Sequence, residues 1–353
     1  MREFNILVIN PGSTSTKISY FQDGVQVLKK ELHHESEFLK NLDYEDELNY
    51  RYSLIRELPI EWGNLEAVVG RGGLLKPLKS GTYAVNEKMI EDLRSEIYGK
   101  HASNLGGVLA KKIADEFKVP SYIVDPVVVD EMSELAKISG IPELVRRSVF
   151  HALNQKGVLK NYCRDKGISY DKKTFIAVHM GGGISVGLHK NGEVVDVNNA
   201  LDGDGPFTPE RAGTLPIGDF FKLYYTGEYS KEFLLRRLKG NGGIAAYLNT
   251  NNVKAVMERV LNGDVEAKKI IDAMCYQIAK EIGGLAAAAE GVVDAIVLTG
   301  GMAYSDYICD AIEKRVQFIA KVIRIPGEFE MQSLYDGGIR VLNGIEDIKQ
   351  YLD

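Results

Sequence analysis

The sequence predicts an α/β fold made of two similar half-proteins, and three observations carry that prediction. A plan of apolar strand, glycine turn, strand, tight hairpin and strand in residues 6–27 (ILVINPGSTSTKISYFQDGVQV) returns in residues 175–195 (FIAVHMGGGISVGLHKNGEVV). Apolar runs break into glycine turns at residues 10–17, 178–187 and 299–301. Strand-like and helix-like segments alternate between them, as layered α/β architectures require. Two halves facing each other across a cleft are the expected result.

The bounds agree. A chain of 353 residues with 45% hydrophobic content can fill two cores, expected as residues 1–148 with 332–353 and residues 149–331. A net charge of −6 argues against nucleic acid or an anionic membrane as partner, so an anionic ligand must be held by local cations. Cys163, Cys275 and Cys309 show no paired spacing and read as packing residues in a reduced compartment. Met1, Arg2 and Glu3 lead directly into a short strand, and no run approaches the roughly 20 apolar residues of a membrane span. A cytoplasmic, soluble protein is expected.

The elements follow in order. The first apolar run ends in a turn where Gly12 permits a positive φ, Ser13, Thr14, Ser15 and Thr16 offer donors, and Lys17 supplies charge. Such a loop reads either as a phosphate cradle or as a solvated hairpin. Gly12 corresponds to Gly182 and Gly24 to Gly192. Residues 34–58 read as one surface helix, and 65–69 as a strand leading to Arg71-Gly72-Gly73. Residues 103–117 form a helix capped by Ser103, with Leu105, Val108, Leu109, Ile113 and Phe117 on one face. A strand at 121–124 delivers Asp125 at its carboxyl end, where open α/β sheets place ligands. A helix starts near Ala152, and the Gly-, Pro- and Asp-dense stretch 202–218 is a loop. Residues 265–289 form a long helix through Ile270, Ile271, Met274, Ile278 and Ile282. A strand at 295–298 runs into the third glycine turn, and a helical stretch at 338–352 closes the chain.

Three glycine turns at strand ends suit a nucleotide, with phosphates between the two hairpins and adenosine at Gly300-Gly301. There is no GxxxxGK[ST] loop and no GxGxxG after the first strand. The duplicated plan resembles the actin-like ATPase (ribonuclease H-like) superfamily that includes actin, 70-kDa heat-shock ATPases and hexokinase. Those members usually carry Asp where this chain has Asn10. The run Asn10-x-Gly12-Ser13-Thr14 followed by Lys17, with His179-x-Gly181-x-Gly183-x-Ser185, looks like the acetate kinase group instead. Within that group the loop PFTPERAGTLP at 206–216 is most similar to butyrate kinases.

The resemblance implies reversible transfer of the γ-phosphoryl of ATP to a short-chain fatty acid, butyrate or a branched isobutyrate, with ATP/ADP and Mg²⁺. It implies that Arg71 holds the carboxylate or transferring phosphoryl and that His151 donates to equatorial oxygens. Asp125 and either Glu330 or Glu328 orient the metal. Asn10, Gly12, Ser13, Thr14, Lys17, His179, Gly181, Gly182, Gly183, Gly300 and Gly301 line the nucleotide, and His101, Phe150 and Pro209 the acid. A homodimer or larger homo-oligomer is implied too.

Departures from the group's pattern shape the expectation. Leu215 stands where acetate kinases carry an arginine, so Arg211 four residues upstream is the candidate replacement. Gly182 stands where they carry Asn, and Gly73 where they carry a pocket Val, which is read as room for a longer acyl tail. At about 0.8 kcal/mol per methylene, butyrate gains about 1.6 kcal/mol over acetate, a factor of about 15. Arg71 as a solvated turn residue, and His151 and His179 as structural histidines, are the bland readings. A sugar or polyol kinase with Asp125 as base, and a non-catalytic nucleotide switch, are the competing functions.

Overall fold

The computed structural model describes residues 2–352 and shows two compact units, 2–129 with 329–352, and 130–328. The expected boundaries lay at 148/149 and 331/332; residues 130–148 instead hold to the second unit, where Ser133 donates its N–H to Val195 O and Arg146 pairs with Asp196.

In the first unit, β1 (Ile6–Pro11), β2 (Ser15–Gln22), β3 (Val25–His33), β4 (Ala67–Arg71), β5 (Thr82–Ala84) and β6 (Ser121–Val124) form one sheet in the order β3-β2-β1-β4-β6-β5. In the second, β7 (Thr174–Met180), β8 (Ile184–Lys190), β9 (Glu193–Val197), β10 (Ala295–Gly300) and β11 (Val322–Pro326) run β11-β10-β7-β8-β9. Each sheet has three antiparallel strands from consecutive hairpins, then two parallel strands beside the first. This is the duplicated α/β fold the sequence predicts, with β5 as an added edge. The second hairpins match in detail. Asp23-Gly24 and Asn191-Gly192 all have positive φ, the backbone of a type I′ turn. The ladder shifts at Tyr20/Phe21 and at Leu188/His189, three residues before each turn glycine.

Strand alternation sorts the core. Gly70 on β4 faces helix Asn104–Phe117, so closely that a Cβ at Gly70 would meet Gly106 O at 2.1 Å and one at Gly106 would meet Arg71 O at 2.2 Å. The adjacent Val69 faces helix Glu330–Leu342, beneath Gly338. Helix glycines cost about 1 kcal/mol each relative to alanine, which backbone contact at Gly106 offsets. In the second unit Ile176, Val178 and Met180 pack with Ile270, Ile271, Met274 and Ile278 of helix Val265–Ala288, capped by Asp264. His179, on the other face of β7, meets Asn154 of helix Ala152–Lys166.

Three elements differ from expectation. Residues 34–58 form two helices, Ser36–Lys40 and Tyr44–Arg56, because Asp43 caps the second by accepting Asp46 N–H. Ser103 does not cap its helix; its Oγ is engaged by His101 Nδ1 at 2.8 Å. The last helix is Glu330–Leu342, after which the chain turns at residues 343–346 and continues without helix, Lys349 forming a bridge to Tyr83 of β5. All three cysteines are buried, and among the described residues no helix is long and apolar enough to cross a membrane.

Candidate active site

Parallel neighbours β1, β4 and β6 bring their carboxyl ends together, and the first unit's candidate residues gather there. Asn10 is the penultimate residue of β1, Arg71 closes β4, Asp125 follows β6, and Glu330 opens the last helix. Asn10 Nδ2 donates to Glu330 Oε2 at 2.7 Å, while Arg71 Nη1 donates to Asn10 Oδ1 at 3.2 Å and to Glu330 Oε2 at 3.0 Å. The amide thus serves a carboxylate with one end and a cation with the other. An aspartate at position 10 would set a second carboxylate against buried Glu330, so asparagine fits this cluster where the wider superfamily uses Asp. Of Glu330 and Glu328, it is Glu330 that joins Arg71. Asp125 is buried with a φ of 38°, and its Oδ1 accepts Gly81 N–H at 2.7 Å.

The β1–β2 loop is closed by Gly12 N–H donating to Ser15 O at 2.7 Å. Gly12 does not take the expected left-handed φ: the turn closes through that hydrogen bond, so the glycine is not needed for its conformation. Ser13 and Thr14 are exposed at the tip, and Lys17 pairs across from Asn10 in the ladder. A residue that sequence reading missed holds the loop from below. Arg51, fully buried, donates from Nη1 to Ser15 O and Thr16 Oγ1 and from Nη2 to Gly12 O, while its charge is met by Glu47 at 2.7 Å. The signal was present: Arg51 sits between Leu48 and Ile55 on the apolar stripe of its helix.

Two pocket expectations meet a different environment. A Cβ at Gly73 would lie 2.6 Å from Asn104 Cα and 2.8 Å from Asn104 N, so the missing side chain opens no room for an acyl tail; helix Asn104–Phe117 already fills that space. His101 is exposed and bonded to Ser103.

In the second unit the β7–β8 turn, Gly181 to Gly183, is the centre. Gly181 N–H donates to Gly183 O at 3.0 Å. His151 and His179 stack beside it, ring centres 3.9 Å apart and 16° from parallel. His179 is buried, its Nδ1 2.8 Å from Asn154 Oδ1. Thr208 Oγ1 donates to Gly182 O at 2.8 Å and accepts Arg211 N–H, tying loop 206–216 to the turn. That puts the Arg211 guanidinium over Gly183: a Cβ there would lie 2.2 Å from Arg211 Nη1 and 3.2 Å from His151 Cε1. Arg211 Nη1 donates to Ala200 O, and its buried Nε has no partner. Burial lowers the Arg211 pKa from its ordinary value, with Glu210 and Asp202 opposing. Leu215 instead lines an apolar cavity of about 720 Å³ with Phe207, Phe220 and Tyr247. Phe150 and Pro209 are buried, Pro209 O accepting Ala245 N–H. Gly300, φ 90°, is locked against Gly327 and would strike Met180 with a Cβ, whereas a Cβ at Gly301 would point into open space.

Strand ends bearing Asn10, Arg71 and Asp125, and a glycine turn flanked by His151 and Arg211, make this a protein of the acetate-kinase type of α/β fold; the chain belongs to the acetokinase family, whose model matches residues 133–319. It is 50% identical to butyrate kinase 1 of Clostridium acetobutylicum over 353 residues, 99% of each chain. It is also 47% identical to a probable butyrate kinase of Listeria monocytogenes, again over 99% of both. Among solved structures, acetate kinase of Porphyromonas gingivalis matches with a TM-score of 0.78 at 17% identity, covering 97% of this chain and 100% of that one.

Proposed function

We propose that this protein transfers the γ-phosphoryl group of ATP reversibly to the carboxylate of butyrate, giving butyryl phosphate and ADP. The observation that carries the reading is 50% identity to a butyrate kinase along essentially the whole chain, and the clusters around Arg71 and Gly183 suit the chemistry.

A fatty acid with a pKa of about 4 to 5 is already an anion at neutral pH, so no general base is needed. Catalysis is then positioning and neutralisation of charge. Arg71, oriented by Asn10 and Glu330, supplies the cation for the acid's carboxylate or the phosphoryl oxygens. The Gly181–Gly183 turn lets a phosphate approach the backbone, while Arg211, with an orphaned buried Nε, and His151 donate to phosphoryl oxygens. Lys17 and the loop donors Ser13 and Thr14 have the chemistry to hold a phosphate, and Gly301 leaves space for adenosine.

The donor set fits Mg²⁺. Magnesium takes one or two carboxylates and keeps its waters and substrate phosphates, so it needs no cluster of three or more ligating side chains, of which there is none among the described residues. Asp125 and Glu330 are the residues that would hold it, directly or through water, and the bound ion would neutralise charge on the phosphates.

The test is acyl phosphate trapped as hydroxamate from Mg·ATP and acetate, propionate, butyrate, isobutyrate, valerate or glycerol. A maximum at butyrate supports the reading, and a maximum at isobutyrate reassigns the acid to a branched one. ATP hydrolysis with no acid phosphorylated would defeat it.

A further inference from the structure

His151 is backed by a chain of buried polar groups running from the glycine turn into the core of the second unit. Its Nδ1 lies 2.9 Å from Ser185 Oγ, which lies 2.9 Å from Gln155 Nε2. Gln155 Oε1 lies 2.9 Å from His189 Nε2, and His189 Nδ1 lies 2.7 Å from the Tyr170 hydroxyl. Ser185, Gln155 and His189 have no exposed surface.

Donor and acceptor rules give this chain a direction. Gln155 Nε2 also lies 3.0 Å from the Ser185 carbonyl, which can only accept, so the amide nitrogen faces Ser185 and the amide oxygen faces His189. His189 must therefore carry its proton on Nε2. Burial, then the charge of Lys156, holds its pKa well below the ordinary histidine value, so the ring is neutral and its Nδ1 accepts from Tyr170. At the other end, Ser185 Oγ receives the Gln155 N–H and, at 3.5 Å, the His151 backbone N–H. With both lone pairs engaged, the hydroxyl proton goes to His151 Nδ1.

We infer that Ser185, Gln155, His189 and Tyr170 are positioning residues whose one-way hydrogen-bond chain fixes His151 as the tautomer protonated on Nε2. The ring nitrogen turned away from Ser185 is then a donor whether His151 is neutral or charged. The opposite tautomer would turn a lone pair toward phosphoryl oxygens and repel them. The inference rests on the reading of His151 as a phosphoryl donor.

The experiment is ¹⁵N–¹H correlation of the histidine rings in the full-length protein at neutral pH, His151 being assigned by the peaks lost in His151→Gln. The expected wild-type spectrum shows His151 and His189 both protonated on Nε2 and bare on Nδ1. In Ser185→Ala the His151 ring should become a tautomer mixture, with kcat down about tenfold, the worth of one hydrogen bond, and the KM for ATP little changed. Gln155→Leu, which breaks the chain one link deeper, should do the same. A wild-type His151 protonated on Nδ1, or a Ser185→Ala protein that folds with kcat and tautomer intact, would overturn the inference. Full activity of His151→Gln with the wild-type tautomer pattern as expected would instead remove His151 from the proposed chemistry while leaving the chain in place.

Discussion

Arg71 and Glu330, 259 residues apart in the chain, meet at 3.0 Å through Arg71 Nη1 and Glu330 Oε2, with Asn10 bridging both. Removing either partner leaves the other charge in a site where it is mostly enclosed. We expect Arg71→Ala to lower kcat/KM by about 10²–10³-fold, the usual cost of one preorganised donor. Unfolding free energies of Arg71→Ala, Glu330→Ala and the double variant should be non-additive by about 0.5–3 kcal/mol. Strict additivity would show that the contact contributes nothing.

Gly73→Val is expected to destabilise the protein without shortening its acyl preference, because the new side chain meets the Asn104 backbone. Overpacking of this kind costs about 1–3 kcal/mol, read from urea unfolding. A stable variant whose preference moves to acetate would restore Gly73 as a pocket wall.

Arg51→Met removes the donor to Gly12 O, Ser15 O and Thr16 Oγ1 and leaves Glu47 uncompensated. Losing one side of such a pair costs about 3–5 kcal/mol, and loosening the β1–β2 loop should raise the KM for ATP more than that for the acid. Equal effects on both constants would mean that Arg51 supports only the fold.

Acid should weaken the first unit through His34. Burial, then the charges of Arg51 and His33, lowers its pKa to about 4 from 6.5. Between these values the unfolded chain binds more protons than the folded one, so stability rises with pH. The contribution is complete above about pH 6.5 and is lost as pH falls toward 4. Melting temperatures across that window should fall with pH in the wild type and less steeply in His34→Gln; parallel curves would clear His34.

The duplicated hairpins were legible because their signals are local. Alternation, the Asp23-Gly24 and Asn191-Gly192 turns and the apolar runs ending at Asn10, Arg71 and Asp125 each lie within a few residues. The helix expected at 265–289 and found as Val265–Ala288 was legible from its apolar stripe, while its Asp264 cap emerged only in the structure. The split of residues 34–58 was not, since Asp43 looks like any acidic surface residue until its carboxylate is seen accepting a helix N–H.

By itself the sequence determined the two-fold α/β plan and the glycine turns, because backbone periodicity and turn chemistry are written in neighbouring residues, and its resemblance to the acetate kinase group marked Arg71, His151 and Glu330 as residues to examine. Only the tertiary structure decided which of them meet: that Glu330 pairs with Arg71, that Arg51 grips the loop at Gly12, that Arg211 lies over Gly183, and that Asn104 fills the space beside Gly73. Those contacts depend on strand order and on how closely helices approach a sheet, quantities set by packing across hundreds of residues and carried by no local pattern.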